Sequence, residues 1–143
     1  MSPASPAHDP RQDGWRPRTL EGYIGLVGPL WTKKEEHGWA YALLAEAKHA
    51  NPAGFVHGGA LAGLIDHALS AIAWEASQRR PCVTVALETH FVAPARPGEF
   101  LEARGRVIRQ TRSLVFLQGA ISAQDRVVLT ASAVMTIVTA TSR

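Results

Sequence analysis

One segment of this chain limits its folding more than any other: from residue 59 to about residue 77, apolar side chains cover most of a helical circumference. Leu61, Leu64, Ile65, Ala68, Leu69, Ile72, Ala73 and Trp74 fall on several faces of a 3.6-residue helix rather than on one stripe. That spacing predicts a helix that is buried, not one lying on a surface. Arg79-Arg80-Pro81 stops it, because proline cannot continue the hydrogen-bond ladder. Beyond the proline the period drops to two. Val83, Val85, Leu87, Thr89 and Phe91 alternate with Thr84, Ala86, Glu88, His90 and Val92. After a turn at 94–98, residues 100–111, 113–123 and 127–138 read as further strands. Gln124-Asp125 joins the last two so tightly that an antiparallel hairpin is expected. One long helix beside consecutive antiparallel strands gives an α+β fold with the helix on one face of the sheet.

Upstream of the helix the signals are weaker. Residues 1–18 carry Pro3, Pro6, Pro10 and Pro17 and read as a flexible tail, with a single domain over 19–143. Residues 20–30 suggest a short helix interrupted by Gly22, Gly25 and Gly28. Residues 33–38 form a polar turn between two strands, the second spanning 39–49. Asn51-Pro52-Ala53-Gly54 is turn chemistry.

Composition excludes several function classes. Of the 143 residues 46% are hydrophobic and 19% charged, ordinary for a globular domain. The net charge of +3 is dispersed over scattered arginines with no run of like charges, so no nucleic-acid stripe is built. No stretch of eighteen apolar residues exists to span a membrane, and no secretory signal opens the chain, so a cytoplasmic protein is expected. Cys82 is the only cysteine. It sits in an apolar stretch and reads as a small buried side chain rather than a nucleophile. The six histidines have no zinc-site spacing, no metal is expected, and no G-x-S-x-G elbow marks a serine hydrolase. Trp15, Trp31, Trp39 and Trp74 suit a core or an interface.

The segment that carries chemistry is N-P-A-G-F-V-H-G-G-A-L-A-G-L-I-D, residues 51–66. Its glycines crowd the start of a helix, where backbone can approach a ligand closely and amide N–H groups stay open. Such a terminus suits an anion or a developing oxyanion. Eight residues on, Asp66 puts a carboxylate into an otherwise apolar helix, a costly placement unless the group is partnered or used.

Together with Thr84 and the run Phe91-Val92-Ala93-Pro94-Ala95, the residues Asn51, Gly54, His57-Gly58-Gly59 and Asp66 resemble the hotdog-fold acyl-CoA thioesterases of the phenylacetate-degradation (PaaI) type. The resemblance covers residues 38–138. It implies a curved antiparallel sheet wrapped around one long helix, assembled as homodimers or homotetramers, acting on acyl-CoA with no cofactor besides the CoA of the substrate. Position by position, it implies that the Gly58 N–H polarises the thioester carbonyl and that His57 shapes that site. Asp66 would be nucleophile or general base, Asn51 would orient water or substrate, and Thr84 would stand beside the carboxylate. Gly59, Phe55, Leu61 and Leu64 are candidates for the substrate pocket, and Arg109 and Arg112 for the phosphates of coenzyme A.

Helical geometry adds a condition. Eight residues at about 1.5 Å each separate Gly58 from Asp66 by about 12 Å, whereas a base must come within roughly 3 Å of its proton. Each site is therefore expected to take Gly58 from one subunit and Asp66 from the other. Two competing readings are a hotdog enoyl-CoA hydratase or dehydratase and a non-catalytic acyl-CoA binder; the H-G-G entry and the Asp66 carboxylate favour hydrolysis.

Overall fold

The computed structural model describes residues 7–139. After a 3-10 turn at Pro10–Asp13 the elements are β1 (Arg16–Arg18), α1 (Tyr23–Val27), β2 (Leu30–Glu35) and β3 (Gly38–Leu44). A second 3-10 turn (Ala47–His49) precedes α2 (Gly58–Ala76), and β4 (Cys82–Phe91), β5 (Phe100–Gln110), β6 (Leu114–Ala123) and β7 (Arg126–Ile137) complete the chain. All seven strands form one sheet in the order β1-β2-β3-β5-β6-β7-β4, and every neighbouring pair is antiparallel. The long helix α2 packs across β3 to β7. This is the hotdog arrangement, and the α+β class follows from it. Among the described residues no helix is long and apolar enough to cross a membrane.

The helix reaches the sheet because two glycines let it. Leu61, Leu64, Ile65, Ala68, Leu69 and Ala73 of α2 are buried with Leu101, Val115, Leu117, Ile121, Leu129 and Met135 of the strands. Each large side chain removed from water contributes about 1.5–3 kcal/mol. Gly105 of β5 and Gly119 of β6 are register partners directly under Leu69. A Cβ on them would come within 2.4 Å and 2.9 Å of Leu69 Cδ2, respectively, so any side chain there would force the Leu69 packing against the sheet to shift.

Three expectations need correction. Residues 1–18 are not a free tail throughout: residues 1–6 lie outside the described region, but β1 pairs with β2 through Arg16–Thr32, Pro17–Trp31 and Arg18–Leu30. Trp15 is buried and meets Phe100 edge-on at 5.2 Å. Burying an indole is worth about 4 kcal/mol, enough to outweigh the prolines nearby. The strand expected over 39–49 ends at Leu44; Ala47–His49 forms a 3-10 turn instead, closed by a capping box in which the His49 Nδ1 accepts from the Glu46 N–H at 2.9 Å. And the alternation in β4 does not run through the strand. The register slips between Thr84 and Ala86, so the bulge at Val85 re-aims the strand: Cys82 and Thr84 share the half-buried side with Leu87 and Thr89, while Val83 and Val85 are exposed. Cys82 is thus half-buried rather than buried, its Sγ 3.4 Å from Ser77 Oγ.

Candidate active site

The Asp66 carboxylate is held from the sheet. Thr84 Oγ1 donates a hydrogen bond to Asp66 Oδ1 at 2.7 Å, and Thr84 can do so because the Val85 bulge turns it toward α2. A hydrogen bond to an ionised group is worth about 1.5–3 kcal/mol. Asp66 faces a cavity of about 260 Å³ whose other lining residues are Gly63, His67 and Ser70 of α2 and Glu21, Tyr23 and Ile24 from α1 and its lead-in. Of these, Gly63 and Ser70 stand three and four residues from Asp66, one helical face. The His67 imidazole is pushed below its usual value by burial, an effect the Asp66 charge opposes. Its ring stands edge-on to Tyr41 at 6.2 Å, and no hydrogen bond joins it to Asp66. The two nevertheless line one cavity.

The other candidate group sits at the helix start. His57 is the N-cap: its Nδ1 accepts from the Gly59 N–H at 2.8 Å. That ring therefore satisfies Gly59, while the Gly58 N–H has no hydrogen-bond partner among the described residues. Gly58 lies against the Phe91 ring at the end of β4; a Cβ there would sit 3.3 Å from Phe91 Cε1. Asn51 anchors the loop before the helix, its Oδ1 accepting from the Ala53 and Phe55 N–H groups at 3.0 and 3.1 Å. That oxygen is used by the turn, which leaves only the side-chain NH2 for the ligand-orienting role expected of Asn51. Phe55 is covered by the Arg96 guanidinium, 4.7 Å from the ring centre.

The chain thus brings Asp66 and Thr84 together and keeps Gly58 apart from both, eight residues up the same helix. Leu61 and Leu64, expected to line the substrate pocket, are instead in the core, because the helix face that carries them points at the sheet. Arg109 and Arg112 are exposed, on β5 and in the turn after it, and neither lines the Asp66 cavity. Glu21, Tyr23 and Ile24 were not anticipated; they come from the glycine-broken stretch whose position relative to α2 no local pattern reveals. Ser70 could have been found from its helical spacing to Asp66. Among the described residues no group of three or more His, Cys, Asp or Glu could hold a metal ion.

The profile described as "Thioesterase superfamily" matches residues 53–130, which is the stretch from the turn before α2 into β7. The chain belongs to the thioesterase superfamily. A relative is "Putative esterase PA0474" of Pseudomonas aeruginosa, 33% identical over 113 residues that make up 78% of this chain and 84% of that protein. Among solved structures, a thioesterase-named, phenylacetic acid degradation-related protein of Ralstonia eutropha superposes with a TM-score of 0.70 at 25% identity, covering 80% of this chain and 88% of that one. A Bacillus halodurans protein solved with CoA superposes with a TM-score of 0.65 at 22% identity, covering 68% and 70%. Within this thioesterase-superfamily chain, the matched segment contains His57, Gly58, Asp66 and Thr84 alike.

Proposed function

We propose that the protein hydrolyses acyl-CoA thioesters of small aryl or medium-chain acids, and that each site is built across a homodimer from Asp66 of one subunit and Gly58 of the other. The observation that carries this reading is the Thr84–Asp66 hydrogen bond at 2.7 Å: a carboxylate in an apolar helix, oriented and facing a cavity, with no cation paired to it among the described residues. The solved relative with CoA supports coenzyme A as the leaving group.

The dimer follows from β4. Among the described residues it is an edge strand, paired only with β7, and it exposes Val83, Val85 and Phe91, with Val92 just beyond. Thr84 and Asp66 mark one end of it, Phe91 and Gly58 the other. A two-fold axis between those ends pairs β4 with its copy in antiparallel fashion. That operation sets the Thr84–Asp66 end of one chain beside the Phe91–Gly58 end of its partner, which removes the separation of about 12 Å along α2. The thioester oxygen then accepts from the Gly58 N–H of the partner subunit. Asp66, as base, takes a proton from water whose oxygen adds to the carbonyl carbon; or, as nucleophile, it adds directly and water cleaves the resulting anhydride. Either way the C–S bond breaks and the CoA thiolate leaves, to be protonated to the thiol. Losing one oxyanion donor typically costs about 10²–10³ in rate.

The test is thiol release from a panel of acyl-CoAs by wild type and Asp66→Ala. Release by wild type and a fall of about 10²–10⁴ in the folded variant are expected. No release by well-folded wild type would overturn the reading in favour of a binder or a hydratase, the latter recognised by a change at the enoyl ultraviolet band.

A further inference from the structure

The cavity at Asp66 has a far wall that α2 and the loop before it do not supply. Glu21, Tyr23 and Ile24 form it, facing Gly63, His67 and Ser70 across about 260 Å³. That volume falls below the roughly 300–1,000 Å³ of sites for drug-sized ligands. Tyr23 lies directly over α2: a Cβ on Gly63 would come 3.2 Å from its hydroxyl and 3.3 Å from its Cε1. Glycine one turn before Asp66 is therefore what lets the ring approach. The wall is also fixed in place. The buried His49 ring accepts from the Glu46 N–H through Nδ1 at 2.9 Å, so its Nε2 is the donor to the Val27 carbonyl at the end of α1. Lys48 Nζ donates to the next carbonyl, Gly28, at 2.7 Å. Through its own carbonyl, His49 accepts from the His57 N–H at 2.7 Å, which ties α1 to the loop that opens α2.

Two carboxylates, Glu21 and Asp66, border the cavity, and among the described residues the only basic side chain there is the imidazole of His67. An acyl tail ending in a carboxylate would meet like charge from both of them at short range.

We infer that this cavity receives the acyl group of the substrate and that α1 decides which groups fit: Tyr23 ends the pocket and so limits chain length, while Glu21 turns away anionic acyl tails. This rests on the thioesterase reading above. It makes Tyr23 and Glu21 specificity-determining residues, with Asp66 and Gly58 left to perform the chemistry.

The experiment compares kcat/KM for butanoyl-, decanoyl- and succinyl-CoA in wild type, Tyr23→Ala, Tyr23→Phe and Glu21→Gln. Tyr23 is 62% exposed, so its removal should leave the fold intact, and an unchanged melting temperature checks this. Tyr23→Ala is expected to raise the decanoyl-to-butanoyl ratio about tenfold or more, and Tyr23→Phe, which keeps the ring, to leave it unchanged. Glu21→Gln is expected to raise the succinyl-to-butanoyl ratio several-fold. A decanoyl ratio unmoved in Tyr23→Ala overturns the assignment to Tyr23; a succinyl ratio unmoved in Glu21→Gln overturns the assignment to Glu21. Wild type that releases no thiol from any of the three would instead overturn the thioesterase reading itself.

Discussion

The sheet has two edges, and they are built differently. β1 is three residues long, Arg16-Pro17-Arg18, with a proline that cannot donate to a further strand and a charge on either side of it. Those are the devices by which an edge avoids pairing. β4 is ten residues long, carries no proline, and exposes Val83 at 54%, Val85 at 62% and Phe91 at 54%. An edge of that length, apolar at both ends and charged only at Glu88 and His90 between them, is unprotected unless something covers it. The β1 side is closed by packing within the chain, with Trp15, Trp31 and Phe100 in edge-on contact. The difference teaches where to look for a partner: along β4, where Thr84 and Phe91 also mark the two halves of the proposed site.

The sharpest way to break this comparison is a charge on the unprotected edge. Val85→Asp is expected to leave monomers by sedimentation and to lower thiol release by about 10³, since each monomer would keep Asp66 but lose its oxyanion donor and positioned substrate. Leu26→Asp, at a site 79% exposed on α1, should do neither. Trp15→Ala is expected to cost about 3–5 kcal/mol of stability, read by denaturant titration, with kcat/KM at low temperature unchanged; a loss of activity without loss of stability would mean that the β1 side also serves the site. Thr84→Val removes one charge-assisted hydrogen bond and is expected to lower kcat about tenfold at unchanged oligomeric state.

The smallest effect concerns the surface of the β1 side. Arg104 holds Glu35 through two bonds of 2.8 Å, and this holds the Glu35 carboxyl below the usual carboxylate range. Both groups are partly exposed, so the pair is worth about 0.2–1 kcal/mol. Because the folded value is the depressed one, that contribution is present above the ordinary carboxylate range and disappears as pH falls through the folded value. Arg104→Met should therefore destabilise slightly at neutral pH and not at all in acid; a cost independent of pH would assign the effect to lost packing on Trp15, over which Arg104 also lies at 5.9 Å.

The sequence was most legible where one local pattern decides structure. The helix that runs Gly58–Ala76 and the strands after it were read nearly to their ends, because a full apolar circumference and a period of two each admit one interpretation. Asp66 stood out for a physical reason, a carboxylate among aliphatic neighbours. What escaped depended on the third dimension. The Val85 bulge shifts the faces of β4 by one residue, and no alternation count can place a bulge. Leu61 looked available to substrate until the sheet covered it. Trp15 ordered a stretch that its prolines alone would have left free. Tyr23 became a wall of the Asp66 cavity only when α1 folded over Gly63, forty residues along the chain.

The composite site is tested most directly by mixing two inactive subunits. Gly58→Pro deletes the N–H at the first helical position, where proline is tolerated, and Asp66→Ala deletes the carboxylate. Each homodimer should be nearly inactive. A purified heterodimer of the two, carrying different tags, should regain about half the wild-type activity, because one of its two symmetry-related sites then holds an intact Gly58 and an intact Asp66. A heterodimer as inactive as its parents would show that each chain uses its own Gly58 and Asp66, and would contradict a site built across β4.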